Sequence, residues 1–124
     1  MTTKILVVED TYDNRQILRD LFEAAGIDMI EATNGTAGVE AARLHEPDLI
    51  LMDMQLPVMD GYMATRAIKT EERLRHIPII AVTSYALSGD EEKTRASGCD
   101  AYISKPFSPR ALLALVRATL ASKE

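Results

Sequence analysis

This sequence predicts an open α/β sheet of five parallel strands covered by helices on both faces, and three observations carry that prediction. Short apolar runs rich in Ile and Val recur along the chain. Segments of helical period separate them, with connections of only a few residues. Four of the runs end on polar residues of a kind that handles phosphate or a divalent metal. Repeated strand–helix alternation gives a parallel sheet with right-handed crossovers. Ligands of such sheets bind outside the carboxyl ends of the strands.

The first run is Ile5-Leu6-Val7-Val8, ending at Glu9-Asp10. Like the later runs it is uniformly apolar, as a strand covered on both faces should be. Ile17, Leu18, Leu21, Phe22 and Ala25 then form a helical stripe, and Gly26 stops that helix as a C′ residue would. The segment from Met29 to Thr33 is more mixed, with Asp28 and Glu31 interrupting it, and belongs at a sheet edge. Ala37, Ala41 and Leu44 make the next stripe, closed by Pro47. Leu49-Ile50-Leu51-Met52 ends at Asp53 and is followed by a stripe of Met63, Ala64, Ala67 and Ile68. Ile79-Ile80-Ala81-Val82 ends at Thr83-Ser84. Ser88 with Glu91 reads as a capping box opening the fourth helix, which Gly98 ends. Ala101-Tyr102-Ile103 leads into Ser104-Lys105-Pro106. Ser108 as N-cap and Pro109 at the first helical position start the fifth helix, whose buried face carries Leu112, Leu113, Val116 and Leu120. No linker or shift of composition interrupts the series, so residues 1–124 read as a single domain.

Composition narrows the function classes. A chain of 124 residues suffices for one domain that buries about two-thirds of its unfolded surface. The formal charge of −5 and the lack of a basic run argue against non-specific nucleic-acid binding. No apolar stretch approaches the ~20 residues of a membrane span, and the first apolar run begins too early for a signal peptide. The single cysteine, Cys99, has no partner for an internal disulfide and reads as a buried structural thiol, which suits a reducing cytoplasm. His45 and His76 lie away from the strand ends and read as surface residues. The methionines sit in apolar runs or helical stripes and read as core rather than ligands.

The strand ends bring chemistry together. Glu9, Asp10 and Asp53 at ~5 Å spacing would repel by roughly 3 kcal/mol per pair at an effective dielectric of 20. Such a cluster needs a cation among its members or a proton on one of them. Oxygen donors with no nearby His or Cys suit Mg²⁺, with Mn²⁺ as the alternative. Lys105 and Thr83 facing an acidic metal site call for an anion as well, and a phosphoryl group wants ammonium, hydroxyl and metal together. A carboxylate can itself be the nucleophile in aspartyl-phosphate chemistry. Asp53, ending the long central run, is the candidate, while Glu9-Asp10 form the doublet suited to the metal. Pro106 restricts the backbone of Lys105 and leaves a cis bond open, for which the X-Pro base rate is about 5%. Tyr102 lies three residues before Lys105 and Tyr85 two after Thr83, close enough in sequence to touch or flank the site.

These residues resemble a known family, the receiver domains of two-component response regulators. The resemblance rests on Glu9-Asp10 after the first run, Asp53 in PDLILMDMQLPVMDG, Thr83 in AVTSYA and Lys105 in AYISKPF. No single motif is diagnostic; the set is highly specific and covers essentially the whole chain. GDEEKTRASGCDAYISKPF is most similar to stand-alone receivers of the DivK type and to receivers attached to hybrid kinases. The resemblance implies a doubly wound (βα)5, flavodoxin-like sheet in the order 2-1-3-4-5. It implies a phosphorylation-driven switch, not an enzyme beyond its own Mg²⁺-dependent phosphoryl transfer and slow autodephosphorylation. Asp53 would accept the phosphoryl group from a histidine kinase or a histidine phosphotransfer protein. Asp10, Asp53 and the backbone carbonyl of Gln55 would hold Mg²⁺, with Glu9 assisting through water. Thr83 and Lys105 would bind the phosphoryl oxygens, and Tyr102 would report by changing rotamer. The output would pass to a protein target through the fourth helix, last strand and fifth helix of a monomer, with weak dimerisation left open. Gln55 and Tyr85 each sit two residues past a strand end and are expected to rim the site, Tyr85 obstructing the water that hydrolyses the aspartyl phosphate.

Three other readings compete. A flavodoxin-like mononucleotide binder would place Gly, Ser or Thr in its first loop, where this chain has Glu9-Asp10-Thr11-Tyr12-Asp13. A phosphohydrolase built on Asp-x-Asp would need an acid where Gln55 stands. A receiver excised from a longer hybrid kinase has the same core residues and stays open.

Overall fold

The computed structural model describes residues 2–83 and 88–122, the side chains of 88–91 excepted. Strands and helices alternate throughout: β1 (Lys4–Val8), α1 (Tyr12–Ala24), β2 (Asp28–Ala32), α2 (Gly35–His45), β3 (Leu49–Asp53), α3 (Gly61–Thr70), β4 (Ile79–Thr83), α4 (Ser88–Ala96), β5 (Ala101–Ser104) and α5 (Pro109–Ala121). The strands form one parallel sheet in the order β2-β1-β3-β4-β5, as expected. The mixed strand β2 is an edge, where one flank needs no neighbour and Glu31 can reach water.

Period-two alternation splits the apolar strand residues between two cores. Ile5, Val7, Leu49, Leu51 and Ile80 face Leu18 and Phe22 of α1 and Leu112 and Val116 of α5. Leu6, Val8, Ile50, Met52, Ile79 and Ala81 face α2 and α3, where Val39, Ala42, Ala64 and Ile68 close the other side. Burying each such side chain stabilises the fold by about 1.5–3 kcal/mol, so two complete layers leave the sheet little freedom to slip.

The helix boundaries follow local chemistry. Gly26, at φ 73°, donates to Glu23 O, and Ile27 donates to Phe22 O at 2.9 Å, the paired bonds of a Schellman stop. The Ser108 hydroxyl accepts from Ala111 N, with Pro109 following it as expected. Asn34 and Asp60 cap α2 and α3 in the same way. The Ser88/Glu91 capping box lies outside the described side chains.

Some expected core positions are displaced. Ile17, Leu44 and Met63 are 56%, 78% and 58% exposed. In α2 the buried face is Gly35, Gly38, Val39 and Ala42, one residue out of phase with Ala37, Ala41 and Leu44. Glycine shows no apolar side chain in a sequence pattern, yet at Gly38 it permits the helix to approach β1: a Cβ there would stand 2.8 Å from Val8 Cγ2. Cys99, expected to be buried, lies just before β5 and is half-buried, its thiol directed to Thr94 O at 3.1 Å. Burial, with Asp100 adding to it, pushes that thiol's pKa up. His45 and His76 are exposed, as expected.

Candidate functional site

Register alone brings distant residues side by side. Val8 pairs with Met52, so Glu9 and Asp53, one position further along, leave the sheet as neighbours. Thr83 pairs with Ser104, and Lys105 N donates to Thr83 O at 2.7 Å. Alternation then sorts the side chains. Glu9, Asp53 and Lys105 continue the rows of Val7, Leu51 and Ile103 and line one cavity with Val7 and Leu51 on the α1/α5 side. Thr83 and Tyr102 continue the face of Ala81, beside which Tyr102 is paired.

Carboxylate oxygens of Glu9, Asp10 and Asp53 all lie within 4.8 Å of one another. Two of these acids are buried and the third is exposed. Glu9 is held at both oxygens: Oε2 accepts from Thr11 N at 3.0 Å, and Oε1 accepts from Lys105 Nζ at 3.2 Å and Asn14 Nδ2 at 3.4 Å. Asp53 accepts from Gln55 N through Oδ1 at 2.9 Å and from Lys105 Nζ through Oδ2 at 3.3 Å. No hydrogen bond or ion pair ties down the Asp10 carboxylate among the described residues. Burial works against the Lys105 charge, but Asp53 and Glu9 outweigh it and hold the ammonium's pKa above its ordinary value.

The loop after β3 is held close. Gly61 opens α3 directly against Asp53, and a Cβ on it would stand 2.2 Å from Asp53 O. Val58, at φ 69°, occupies the left-handed region although it is β-branched, and Met59 N closes a three-residue turn on Pro57 O at 2.8 Å. Such strain, of order 1–3 kcal/mol, persists only where the surrounding structure over-determines it. The Lys105–Pro106 peptide is cis. Beside the carboxylates a cavity of about 300 Å³ opens between α1 and the start of α5, walled by Ile17, Leu18, Phe107 and Leu112. That explains the exposure of Ile17, which faces this opening and not the core.

Every expected site residue that is described stands at the carboxyl edge of the sheet or in the strand leading to it. Tyr102 is 37% exposed, and Gln55 contributes its backbone N–H while its side chain is exposed. Tyr85 lies outside the described residues. Asn14 was missed, although an Asn four residues past the doublet, in the first helical turn, is a readable signal. The donor set suits a small hard cation: three carboxylates, only oxygens, and one lysine that offsets a single negative charge.

A doubly wound sheet with an acidic, lysine-gated carboxyl edge defines a receiver, and the comparisons with known proteins agree. The family model for the response regulator receiver domain matches residues 5–117, and the chain belongs to that family. It is similar to the polar-differentiation response regulators DivK of Brucella ovis and Brucella suis. Each is 51% identical over 108 residues, covering 87% of this chain and 88% of the relative. Among solved structures, the receiver domain of sensor histidine kinase PA1611 from Pseudomonas aeruginosa PAO1 is 36% identical with a TM-score of 0.91. The match covers 98% of this chain and 99% of that one. That structure has a magnesium ion coordinated in its active-site cleft. The receiver domain of a signal transduction histidine kinase from Syntrophus aciditrophicus is 32% identical with a TM-score of 0.92, covering 98% and 92%. The chain is thus a DivK-like receiver of two-component signalling, not an enzyme with turnover of its own substrate. No helix among the described residues is long and apolar enough to cross a membrane.

Proposed function

We propose that Asp53 accepts a phosphoryl group from a phosphohistidine on a kinase or phosphotransfer protein, with Mg²⁺ (or Mn²⁺) at the acidic cluster. The observation that carries this reading is the cluster itself, three carboxylates within 4.8 Å with Lys105 seated on two of them. An Asp53 carboxylate oxygen attacks phosphorus, the P–N bond breaks, and the imidazole nitrogen leaves with the electron pair. Asp10, Asp53 and the Gln55 carbonyl would hold the metal, and Glu9, already engaged at both oxygens, would act through water. When bound, the metal neutralises charge on the carboxylates and on the transferred group. Lys105 and Thr83 then take the phosphoryl oxygens, which draws Thr83 inward and gives Tyr102, on the same face, room to turn.

Energetics allow a switch. Moving an equilibrium from 1:99 to 99:1 takes about 5.5 kcal/mol of differential interaction. Hydrogen bonds to charged groups at roughly 1.5–3 kcal/mol each can supply it. The output surface is α4, β5 and α5, read by a protein partner. The likeness to DivK regulators over 88% of their length supports a receiver acting as a separate cytoplasmic protein. The 36% identical domain of a sensor kinase favours the second reading, a receiver module of a hybrid kinase, less strongly.

Acetyl phosphate with Mg²⁺ should add one acid-stable, base-labile phosphoryl group, seen by intact-protein mass spectrometry. Asp53→Asn or chelation of the metal should abolish the addition. Undiminished labelling of Asp53→Asn would place the acceptor elsewhere. Hydrogen exchange that changed around Asp53 while α4, β5 and α5 stayed silent would remove the output face from this reading.

A further inference from the structure

Arg15 sits in the first turns of α1, five residues past Asp10, and takes no part in the chemistry above. Its guanidinium forms a bridge: Nη1 donates to the backbone oxygen of Glu9 at 3.0 Å, and Nε donates to Glu31 Oε1 at 3.1 Å. Arg19, one turn on, holds the other oxygen of Glu31. The Arg15 side chain is only 14% exposed, so it is packed down onto the strand ends rather than spread in solvent. The ring of Tyr12 flanks it, 5.8 Å from the guanidinium carbon.

The consequence falls on one peptide. Glu9 N donates to Ala32 O of β2 at 3.0 Å. Glu9 O is held by Arg15, which Glu31 of the same strand orients. Both backbone polar groups of Glu9 are therefore fixed to β2, one directly and one through the arginine. The oxygen of Glu9 belongs to the peptide plane that carries Asp10 N, so fixing it fixes the direction in which Asp10 leaves the strand. The Asp10 carboxylate has no holder of its own among the described residues, and its aim depends on this backbone. An arginine does this better than a lysine, because its planar fork can satisfy two acceptors at once.

We propose that Arg15 is a positioning residue of the divalent-cation site: through Glu9 O it aims Asp10 at the cluster, and Glu31 on the edge strand keeps Arg15 in place. This rests on reading the acidic cluster as a Mg²⁺ site. The competing view makes the bridge a plain staple between α1 and β2, and the molecule contains its own control. Arg19 binds the same acid from the same helix but makes no bond to Glu9.

The test is Mg²⁺ titration of the unphosphorylated protein by calorimetry, with urea unfolding of each variant alongside. Arg15→Gln should weaken Mg²⁺ binding about tenfold, the low end for groups that orient a metal ligand, while Arg19→Gln should stay within about twofold. Arg15→Lys should recover part of the loss and Glu31→Gln should show part of it. Wild-type affinity in Arg15→Gln, or an equal loss in Arg19→Gln, would reduce the bridge to a staple. Should Arg15→Gln fail to fold, Glu31→Gln against Arg19→Gln decides by the same comparison. A wild-type protein that bound no Mg²⁺ would overturn the metal reading itself, an outcome distinct from variants that bind as well as wild type.

Discussion

The two edges of the sheet treat charge in opposite ways. At the amino-terminal edge Asp48, Glu71 and Asp100 each have a donor. Lys69 Nζ reaches Asp100 Oδ2 at 2.9 Å and the carbonyls of Ile77 and Arg75 at 2.8 and 3.1 Å. Asp100 also accepts from Ile79 N, Asp48 from Lys4 N, and Glu71 from Arg43. At the carboxyl edge three carboxylates crowd together, and Lys105 is paired with only two of them, Glu9 and Asp53. The first arrangement satisfies groups that would otherwise weaken the fold. The second leaves negative charge over, which is useful only to a ligand that arrives carrying positive charge. The same contrast separates a framework from a site without reference to any family.

Removing negative charge should therefore have opposite signs at the two edges. The largest effect belongs to the framework. Lys69→Met strips a donor from Asp100 and two carbonyls and should cost about 2–3 kcal/mol in equilibrium urea unfolding. A loss below about 0.5 kcal/mol would put that network on a par with ordinary surface pairs and erase the contrast. Next comes the cation. Mg²⁺ at ten times its dissociation constant should stabilise the wild-type protein by about 1.4 kcal/mol, since a ligand of the folded state adds RT ln(1 + [L]/Kd). Asp53→Asn should lose most of that gain, and Lys69→Met should keep it. An unchanged gain in Asp53→Asn would move the metal away from the crowded acids.

The smaller effect is the more diagnostic. Asp10→Asn, measured without metal, should raise stability by up to about 1 kcal/mol, because an exposed carboxylate beside two others contributes only repulsion. Asp100→Asn, the same substitution at the other edge, should lower it. Matching signs at both edges would show that neither is organised by charge.

Much of this was legible in the sequence, for physical reasons that differ by element. Strands covered on both faces must be uniformly apolar, so β1, β3 and β4 announced themselves, and the polar residue at which each stopped marked the edge where it leaves the core. Gly26 and the Ser108-Pro109 pair read correctly because a helix end is a local event. The phase of α2 did not, because Gly35 and Gly38 pack through the absence of a side chain. Met63 shows the related failure in α3: a stripe read one residue wide of its centre turns by 100°. At the site, residue identities were visible, and the family resemblance supplied their division of labour, but the residues alone did not show how differently Glu9 and Asp10 are held. That Glu9 is buried and saturated while Asp10 is exposed and untied rests on the local partners Thr11 and Asn14 and on one tertiary contact, with Lys105 96 positions away. The left-handed Val58 was equally hidden, since nothing in Pro57-Val58-Met59 demands it without α3 packed behind.

Lys105 offers the smallest and sharpest test of the crowded edge. Among the described residues its ammonium is the one cation paired with the Glu9 and Asp53 carboxylates, and those acids raise its pKa against the opposing effect of burial. A cation whose pKa is higher in the folded state than in the unfolded one stabilises the fold fully below the ordinary lysine range. That contribution is lost as pH rises through the folded value. Wild type should therefore exceed Lys105→Met in stability near neutrality, by under about 1 kcal/mol because the side chain is partly solvated. The gap should hold through mildly alkaline pH and close only above the ordinary lysine range. Added salt should narrow it at neutral pH, screening an attraction at the rim of the protein. A gap that stayed constant through the alkaline limb would mean that Lys105 stabilises by packing against Pro106 and the cavity wall. The Glu9 and Asp53 carboxylates would then lack an effective counter-charge, and the contrast between the two edges would be stronger than the ion-pair distances suggest.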